Sequence, residues 1–449
     1  MRTAADATPL LQQLIRNACV NTGAPDSGGE RRSVDTLRAF LPDAGHDAVE
    51  VEPLPGRASL ICRIEGSDPD APSLTLMGHT DVVPVADPSR WKRDPFGGEL
   101  IDGIVWGRGA VDMLDVTSTM AVAFAQLIEE GFRPRGTLTY LAVCDEEALG
   151  THGAKHLTER EPDLVRTDVV LTEFGGARMQ LGADGPPVLP VMVGEKGTYW
   201  CTIRVTGTPG HASMPFRTDN ALIKAAEVVR RIGAYAPQPV LHETWRAFAE
   251  ALPVADEIKA VLLDPGALEA MLAAESTDAA TARMLHACTH TTFAPTVLHG
   301  GIKTNVIPDA VELQVDVRTL PGHRADEVRA MLREALGDLY DEVEIVADSD
   351  SPANLSPDAT STPTWDAITE VTQRLVPGAR TVPFLIVGAT DARFFRTLGA
   401  TCYGTGIKSD RIGFSDFGAM FHGDDERVDV GTLDLQTAYW KALAEALVG

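Results

Sequence analysis

From Leu10 to Ala18 apolar residues recur at helical spacing, and the turn formers from Asn21 to Gly29 predict a loop after that helix. Short β-rich runs follow at Ala58 to Ile64, Leu74 to Met77, Leu138 to Val143 and Val169 to Leu171. Within this series Val116 to Glu130 has helical period and is closed by Gly131. Apolar strands alternating with helices predict an α/β fold whose mostly parallel sheet is covered by helices on both faces.

Near Gly194 the pattern changes. Thr198 to Val205 alternates as a half-buried strand does, Asn220 to Ile232 has helical period, and residues 234–290 are helix-like with breaks at Pro237, Pro239, Pro253 and Pro265. Val311 to Val317 alternates again, and Arg324 to Leu336 reads as a helix ended by Gly337. Pro352 and Pro357 mark a linker, after which a helix at Trp365 to Leu375 and a core strand at Val382 to Val387 resume the first pattern. The expectation is one catalytic domain made from residues 1–194 and 351–449, interrupted by an inserted α+β domain over 195–350.

Composition narrows the partners. The 449 residues are 44% hydrophobic and 23% charged, ordinary for a folded chain. With 39 Lys and Arg against 64 Asp and Glu, the net charge of −25 repels phosphate backbones and anionic bilayers, so neither nucleic acid nor membrane is an expected partner. Six cysteines without a CxxC pair predict reduced thiols and a cytoplasmic protein. No stretch approaches roughly 18 uninterrupted apolar residues.

Acidic and imidazole residues cluster just past the predicted core strands, where an open α/β sheet presents its ligand crevice. Gly78-His79-Thr80-Asp81 follows the strand at Leu74, Cys144-Asp145-Glu146-Glu147 the strand at Leu138, and Thr172-Glu173 the strand at Val169. Asp112 ends a Gly-rich turn, and His422 opens the late run His422-Gly423-Asp424-Asp425-Glu426. Each of these has an ordinary structural explanation when taken singly, as a hydrogen-bonded histidine, a turn aspartate or a solvated acidic pair. Together, two imidazoles and three carboxylates suit a pair of borderline cations such as Zn²⁺, with one carboxylate bridging.

The segments GHTDVVP (78–84), WKRDPFGGELIDGIVWGRGAVDM (91–113), DEEALGTHGA (145–154), GTPGHASMP (207–215), TNVIPDAVELQVDVR (304–318), GATDAR (388–393) and HGDDERV (422–428) stand in that order. With them the chain resembles, over essentially its whole length, the di-zinc hydrolases that include aminoacylase, acetylornithine deacetylase, succinyl-diaminopimelate desuccinylase and glutamate carboxypeptidase. The resemblance implies a zinc-exopeptidase-like catalytic domain with a ferredoxin-like lid that also dimerises. It further implies two Zn²⁺ per subunit, replaceable by Co²⁺ or Mn²⁺: His79 and Glu173 on one ion, Glu147 and His422 on the other, Asp112 bridging. Glu146 would deprotonate a metal-bridging water and return the proton to the leaving nitrogen. Asp81 would hold the His79 ring in one tautomer, a role that an HxD pair suits on physical grounds too. A cis peptide would follow Asp112.

By the same resemblance His211 donates to the oxyanion, often from the partner subunit, and Asn305, Arg318, Arg393 and Gly404 bind substrate. A guanidinium fork suits a free α-carboxylate, so the implied substrates are small amides of amino acids, either N-acyl amino acids or, as the alternative, dipeptides and peptides with a free C-terminus. A metal-dead binding relative would lack Glu146 or a ligand, and none is missing. Two departures stand out: Met113-Leu114-Asp115 replaces the family's usual Lys-Gly beyond the bridging Asp, and the 234–290 stretch is long, as in members that act on bulky apolar acyl groups. Its Trp245, Phe248, Leu252, Met271 and Leu272 are candidates to line an acyl pocket, against which stands their helical apolar spacing, that of a core.

Overall fold

The apolar runs become the inner strands of one large sheet. The computed structural model describes residues 1–181 and 185–449. In chain order its main strands are β1 (Asp47–Leu54), β2 (Arg57–Ile64), β3 (Leu74–His79), β4 (Leu138–Val143), β5 (Val169–Thr172), β6 (Pro187–Glu195), β7 (Gly197–Thr206), β8 (Thr292–Gly300), β9 (Ala310–Thr319), β10 (Val343–Ser351), β11 (Arg380–Ile386) and β12 (Thr401–Gly404). The large sheet runs β1-β2-β4-β3-β5-β12-β6, and β11 also pairs with β6. Its centre is parallel: β3 lies between β4 and β5, β12 beside β5, all pointing one way. β2 joins β4, and β1 joins β2, antiparallel.

Successive residues on these strands face opposite ways. Leu60, Leu76 and Tyr140 pack with the helices Ala7–Asn17, Leu114–Glu129 and Val430–Val448. Ile61, Met77, Leu141 and Cys402 pack on the other face with Leu157 and Phe395 from the helices Ala154–Arg160 and Ala392–Thr397. With both faces covered, every residue of β3 and β4 is buried, the polar Thr75, His79 and Thr139 included.

The chain leaves this sheet at Glu195 and returns when Asn354–Leu355 pairs with Glu195 and Gly194. Between these points β8-β9-β7-β10 form a wholly antiparallel sheet. The helices Ala221–Ala234 and Ala325–Leu336 cover one of its faces. Strand, helix, two strands, helix, strand, with the first and third strands central, is the ferredoxin-like arrangement.

Several elements escaped the periodicity reading. β8 carries Pro295 at a register shift on the sheet edge, the position where a strand tolerates the missing donor but where the sequence reads as broken. β6 contains Pro187 and Pro190, and β1 is an edge strand with no buried residue. The helices between Glu243 and Thr289 correct a packing expectation: they lie inside the insertion in sequence, yet Trp245, Phe248, Leu268 and Cys288 pack on Val188 of β6 and on Val382 and Phe384 of β11. They extend the large domain, and Trp245, Phe248 and Leu252 are core there.

Candidate metal centre

Parallel strands end at one edge, and three sources of ligands lie there. β3 ends on His79, β4 leads through Asp145 into the single turn Glu146–Ala148, and β5 leads into Glu173. Asp112 closes the turn before helix Leu114–Glu129, with a cis bond to Met113, and His422 lies between helix Phe414–Met420 and the short strand Arg427–Asp429. Asp145, Phe174 and His422 hold φ of 70°, 68° and 56°, left-handed values that non-glycine residues adopt at a cost. His422 is itself a ligand candidate, Phe174 adjoins Glu173, and Asp145 precedes the Glu146-Glu147 pair.

The five side chains converge in two groups that share Asp112. His79, Asp112 and Glu173 offer ligand atoms that all lie within 4.8 Å of one another, and so do Asp112, Glu147 and His422. Asp112 Oδ1 is 3.3 Å from His79 Nε2, and its Oδ2 is 3.3 Å from His422 Nε2. Glu147 Oε2 is 3.3 Å from His422 Nε2, and Glu173 Oε2 is 3.7 Å from His79 Nε2. His79 is buried, whereas the His422 side chain is 59% exposed, so the second group opens to solvent.

Charge makes the cluster expensive as it stands. Burial, reinforced by the Glu173 charge, raises the Glu146 carboxyl well above the usual carboxylate range. Burial likewise pushes Glu173 up to about 8. Burial opposes protonation of His79, but Asp112 and Glu173 more than offset it, and His422 is pushed up to about 10 by Asp112 and Glu147. Glu147 Oε1 and Glu173 Oε2 are buried with no hydrogen-bond partner among the described residues. Carboxylate oxygens left unpartnered around a shared Asp are what a pair of divalent cations would satisfy, and the mixed imidazole and carboxylate donors fit that use.

Other residues hold the ligands in place. Glu426, present in the late acidic run but given no role from sequence, accepts the backbone N–H groups of Gly109, Val111 and Asp112 at 2.8, 2.7 and 2.9 Å, and Arg108 at 2.9 Å. It clamps the turn that presents Asp112. Asp81 lies beside the His79 ring and also holds backbone. The His79 Nδ1 lies 3.0 Å from the Asp81 backbone oxygen and 3.6 Å from its carboxylate. The carboxylate accepts the N–H groups of Glu146 and Glu147, at 3.2 and 3.1 Å, and Asn21 at 2.8 Å. Asn21 also donates to Asp145, and Arg57 joins Asn21, Glu30 and Asp145 beneath. Spacing offered no signal for this network, because Asn21 lies in a loop identified by turn composition alone. The departure at Asp115 is structural: its carboxylate binds Lys408 at 2.8 Å and Gln436 at 3.1 Å behind the centre.

The other candidates divide. Gly404 permits close approach, since a Cβ there would sit 2.2 Å from the Glu173 carbonyl oxygen. Arg393 donates to Leu149 O at 3.2 Å, in the loop just after Glu147. His211 and Asn305 lie together on the insertion, where Gly210–His211 pairs with Val306–Ile307 and Ala212 N–H donates to Asn305 O. His211 is exposed and its Nδ1 contacts Ser213 Oγ at 2.7 Å. Arg318, on β9, is held by both oxygens of Asp316 at 2.8 and 3.1 Å. Among the described contacts none joins His211, Asn305 or Arg318 to the metal-ligand cluster.

Comparison with known proteins agrees with this architecture. A human N-fatty-acyl-amino acid synthase/hydrolase, PM20D1, is 28% identical over 84% of this chain and 74% of its own length. Succinyl-diaminopimelate desuccinylase from Cereibacter sphaeroides is 28% identical over 98% of both chains. Among solved structures, the M20 family metallo-carboxypeptidase Sso-CP2 from Sulfolobus solfataricus superposes with a TM-score of 0.73 at 17% identity, covering 98% of this chain and 99% of its own, and so shares the fold. The family model described as peptidase family M20/M25/M40 matches residues 75–446, a span that holds all five candidate ligands, and the chain is a hydrolase belonging to that family.

Proposed function

We propose that this enzyme hydrolyses the amide bond of N-acyl amino acids at a pair of divalent cations. The observation that carries the reading is the sharing of Asp112 by two ligand groups, one oxygen toward each. His79, Asp112 and Glu173 would hold one ion, and Asp112, Glu147 and His422 the other, with Zn²⁺ the expected metal. Such ions, when bound, polarise the scissile carbonyl and acidify the attacking water.

The chain supplies the proton handling. Glu146 takes a proton from the attacking water and passes it to the leaving nitrogen as the C–O bond forms and the C–N bond breaks, giving a carboxylic acid and a free amino acid. Asp81 holds the backbone of Glu146 and Glu147, so that adjacent carboxylates keep separate jobs. Arg393, which donates to Leu149 O in the loop after Glu147, would receive the substrate carboxylate. His211 would donate to the oxyanion, arriving by closure of the insertion or from a second copy. Met214, Phe216 and Ile223, exposed by 69%, 82% and 71% around His211, support a homodimer through the insertion. Six buried free thiols support a cytoplasmic setting.

The names of the two sequence relatives favour an N-acyl substrate over a dipeptide. The test is metal analysis together with hydrolysis of N-acetyl amino acids against matched dipeptides, with and without added Zn²⁺ or Co²⁺. Bound metal and faster cleavage of the N-acetyl series are expected. Faster cleavage of the dipeptides would make the enzyme a dipeptidase using the same centre, and absence of metal and turnover would overturn the reading.

A further inference from the structure

A cavity of about 370 Å³ opens directly beside the metal-ligand cluster. Asp112 and His422 form its near end, and Phe174, Phe384, Phe417 and Phe421 line its walls. Phe174 and Phe421, each next to a ligand candidate in sequence, stack with ring centroids 4.9 Å apart, and Phe417 packs edge-on to Phe421. Asp112 and His422 are the sole ionisable residues among its described lining and both belong to the ligand cluster, so beyond that cluster the described walls offer a carboxylate no cationic partner. A second cavity of about 470 Å³, lined by Leu252, Ile258 and Met271, shares Met284 and Phe414 with the first as a common wall. Each volume lies in the range of small-molecule pockets, roughly 300–1,000 Å³.

We infer that the two cavities form one acyl-chain channel, and that the preferred substrates carry a long, linear, apolar acyl group running from the metal centre past Met284 and Phe414. The inference rests on the N-acyl amino acid reading and adds to it the acyl class and a length gauge. The carboxylate of the substrate goes to the Arg393 side, because the phenylalanine-lined side offers it nothing. The first chamber holds short and medium chains, and only longer ones pass between Met284 and Phe414. One side of the second chamber comes from the helices Glu243–Ala251 to Ala279–Thr289, the segment that lengthens the insertion in sequence, and the other from residues 178–181, Gly413, Phe414 and Asp416, where Arg178 and Asp416 add two charged groups to a mostly apolar lining.

The test measures kcat/KM for one amino acid acylated with chains from acetyl to palmitoyl, using the metal-loaded enzyme. Each methylene that enters the channel is expected to raise kcat/KM roughly fourfold. Met284→Trp, which narrows the shared wall, should cut the palmitoyl-to-acetyl ratio roughly tenfold or more while butyryl-to-acetyl stays near the parent value. Ile258→Asp tests the same point at a residue 47% exposed, where the fold tolerates a charge, and should penalise only chains that reach the second chamber. Cleavage of the acetyl compound with no gain for longer chains overturns the inference alone, as does an unchanged length profile in both variants. No cleavage of any member of the series overturns the N-acyl amino acid reading as well.

Discussion

The strand-end cluster and the tip of the insertion are both built from motif residues, yet one is assembled and the other is not. His79, Asp112, Glu147, Glu173 and His422 come from five separated segments and meet within a few ångströms, because parallel β3, β4 and β5 end at one edge and Glu426 and Asp81 clamp the intervening backbone. His211 and Asn305 lie on an exposed two-strand ladder, and Arg318 is occupied by Asp316. The contrast follows from what each region can hold rigid. A cluster of buried charges needs fixed partners around it, whereas the exposed ladder that carries His211 and Asn305 meets no such demand.

The sharpest break of that comparison is at the cluster. Glu146→Gln should lower kcat by ~10³-fold or more with metal content unchanged in elemental analysis. Loss of metal together with activity would show that Glu146 ligates rather than transfers protons. On the insertion, His211→Ala should cost ~10²-fold in kcat, again with full metal occupancy. An unaltered kcat would remove the insertion from the chemistry and leave the strand-end cluster self-sufficient.

Smaller effects probe the supports. Glu426→Gln keeps the shape but weakens the clamp on the 109–112 turn, and should loosen metal binding by ~10–100-fold in a chelator competition. Wild-type affinity in that variant would mean that the turn is held by its own geometry. The smallest effect concerns Asp391, which is buried with both oxygens unpartnered and whose carboxyl is pushed by burial from 3.8 up to about 7. A carboxyl that stays protonated when folded but ionises when unfolded costs stability as pH rises from 3.8 to about 7, and the cost then levels off. Asp391→Asn should therefore stabilise the metal-free protein by ~1–3 kcal/mol at pH 8, with the gain fading toward pH 4, as followed by denaturant titration. A gain that is the same at both ends of the range would point to packing rather than charge.

Much of the architecture was legible in the chain. The doubly buried strands at Leu74 and Leu138 announce themselves because both faces need apolar residues, and Gly131 and Gly337 punctuate helices as expected. The edge strands β1 and β8 did not, since an edge position relaxes the pattern that periodicity detects, and in β6, which is paired on both sides, Pro187 and Pro190 hide the run. The site shows the same division. The ligand candidates stand out as charged residues directly after apolar runs, but Glu426 and Asn21 look like any acidic or turn residue until their partners are seen.

What the sequence determined by itself was therefore the set of groups available for chemistry and the strand ends that carry them, because hydrophobic pattern and motif order are local properties of the chain. Tertiary structure decided which groups meet. It brought the Asp81 carboxylate to the backbone of the glutamate pair as well as beside the imidazole, packed the 243–289 helices on the large sheet instead of the inserted one, and opened a mostly apolar cavity next to the ligands. Those outcomes depend on distances between segments hundreds of residues apart, and such distances are fixed by how the whole core packs, which no local pattern encodes.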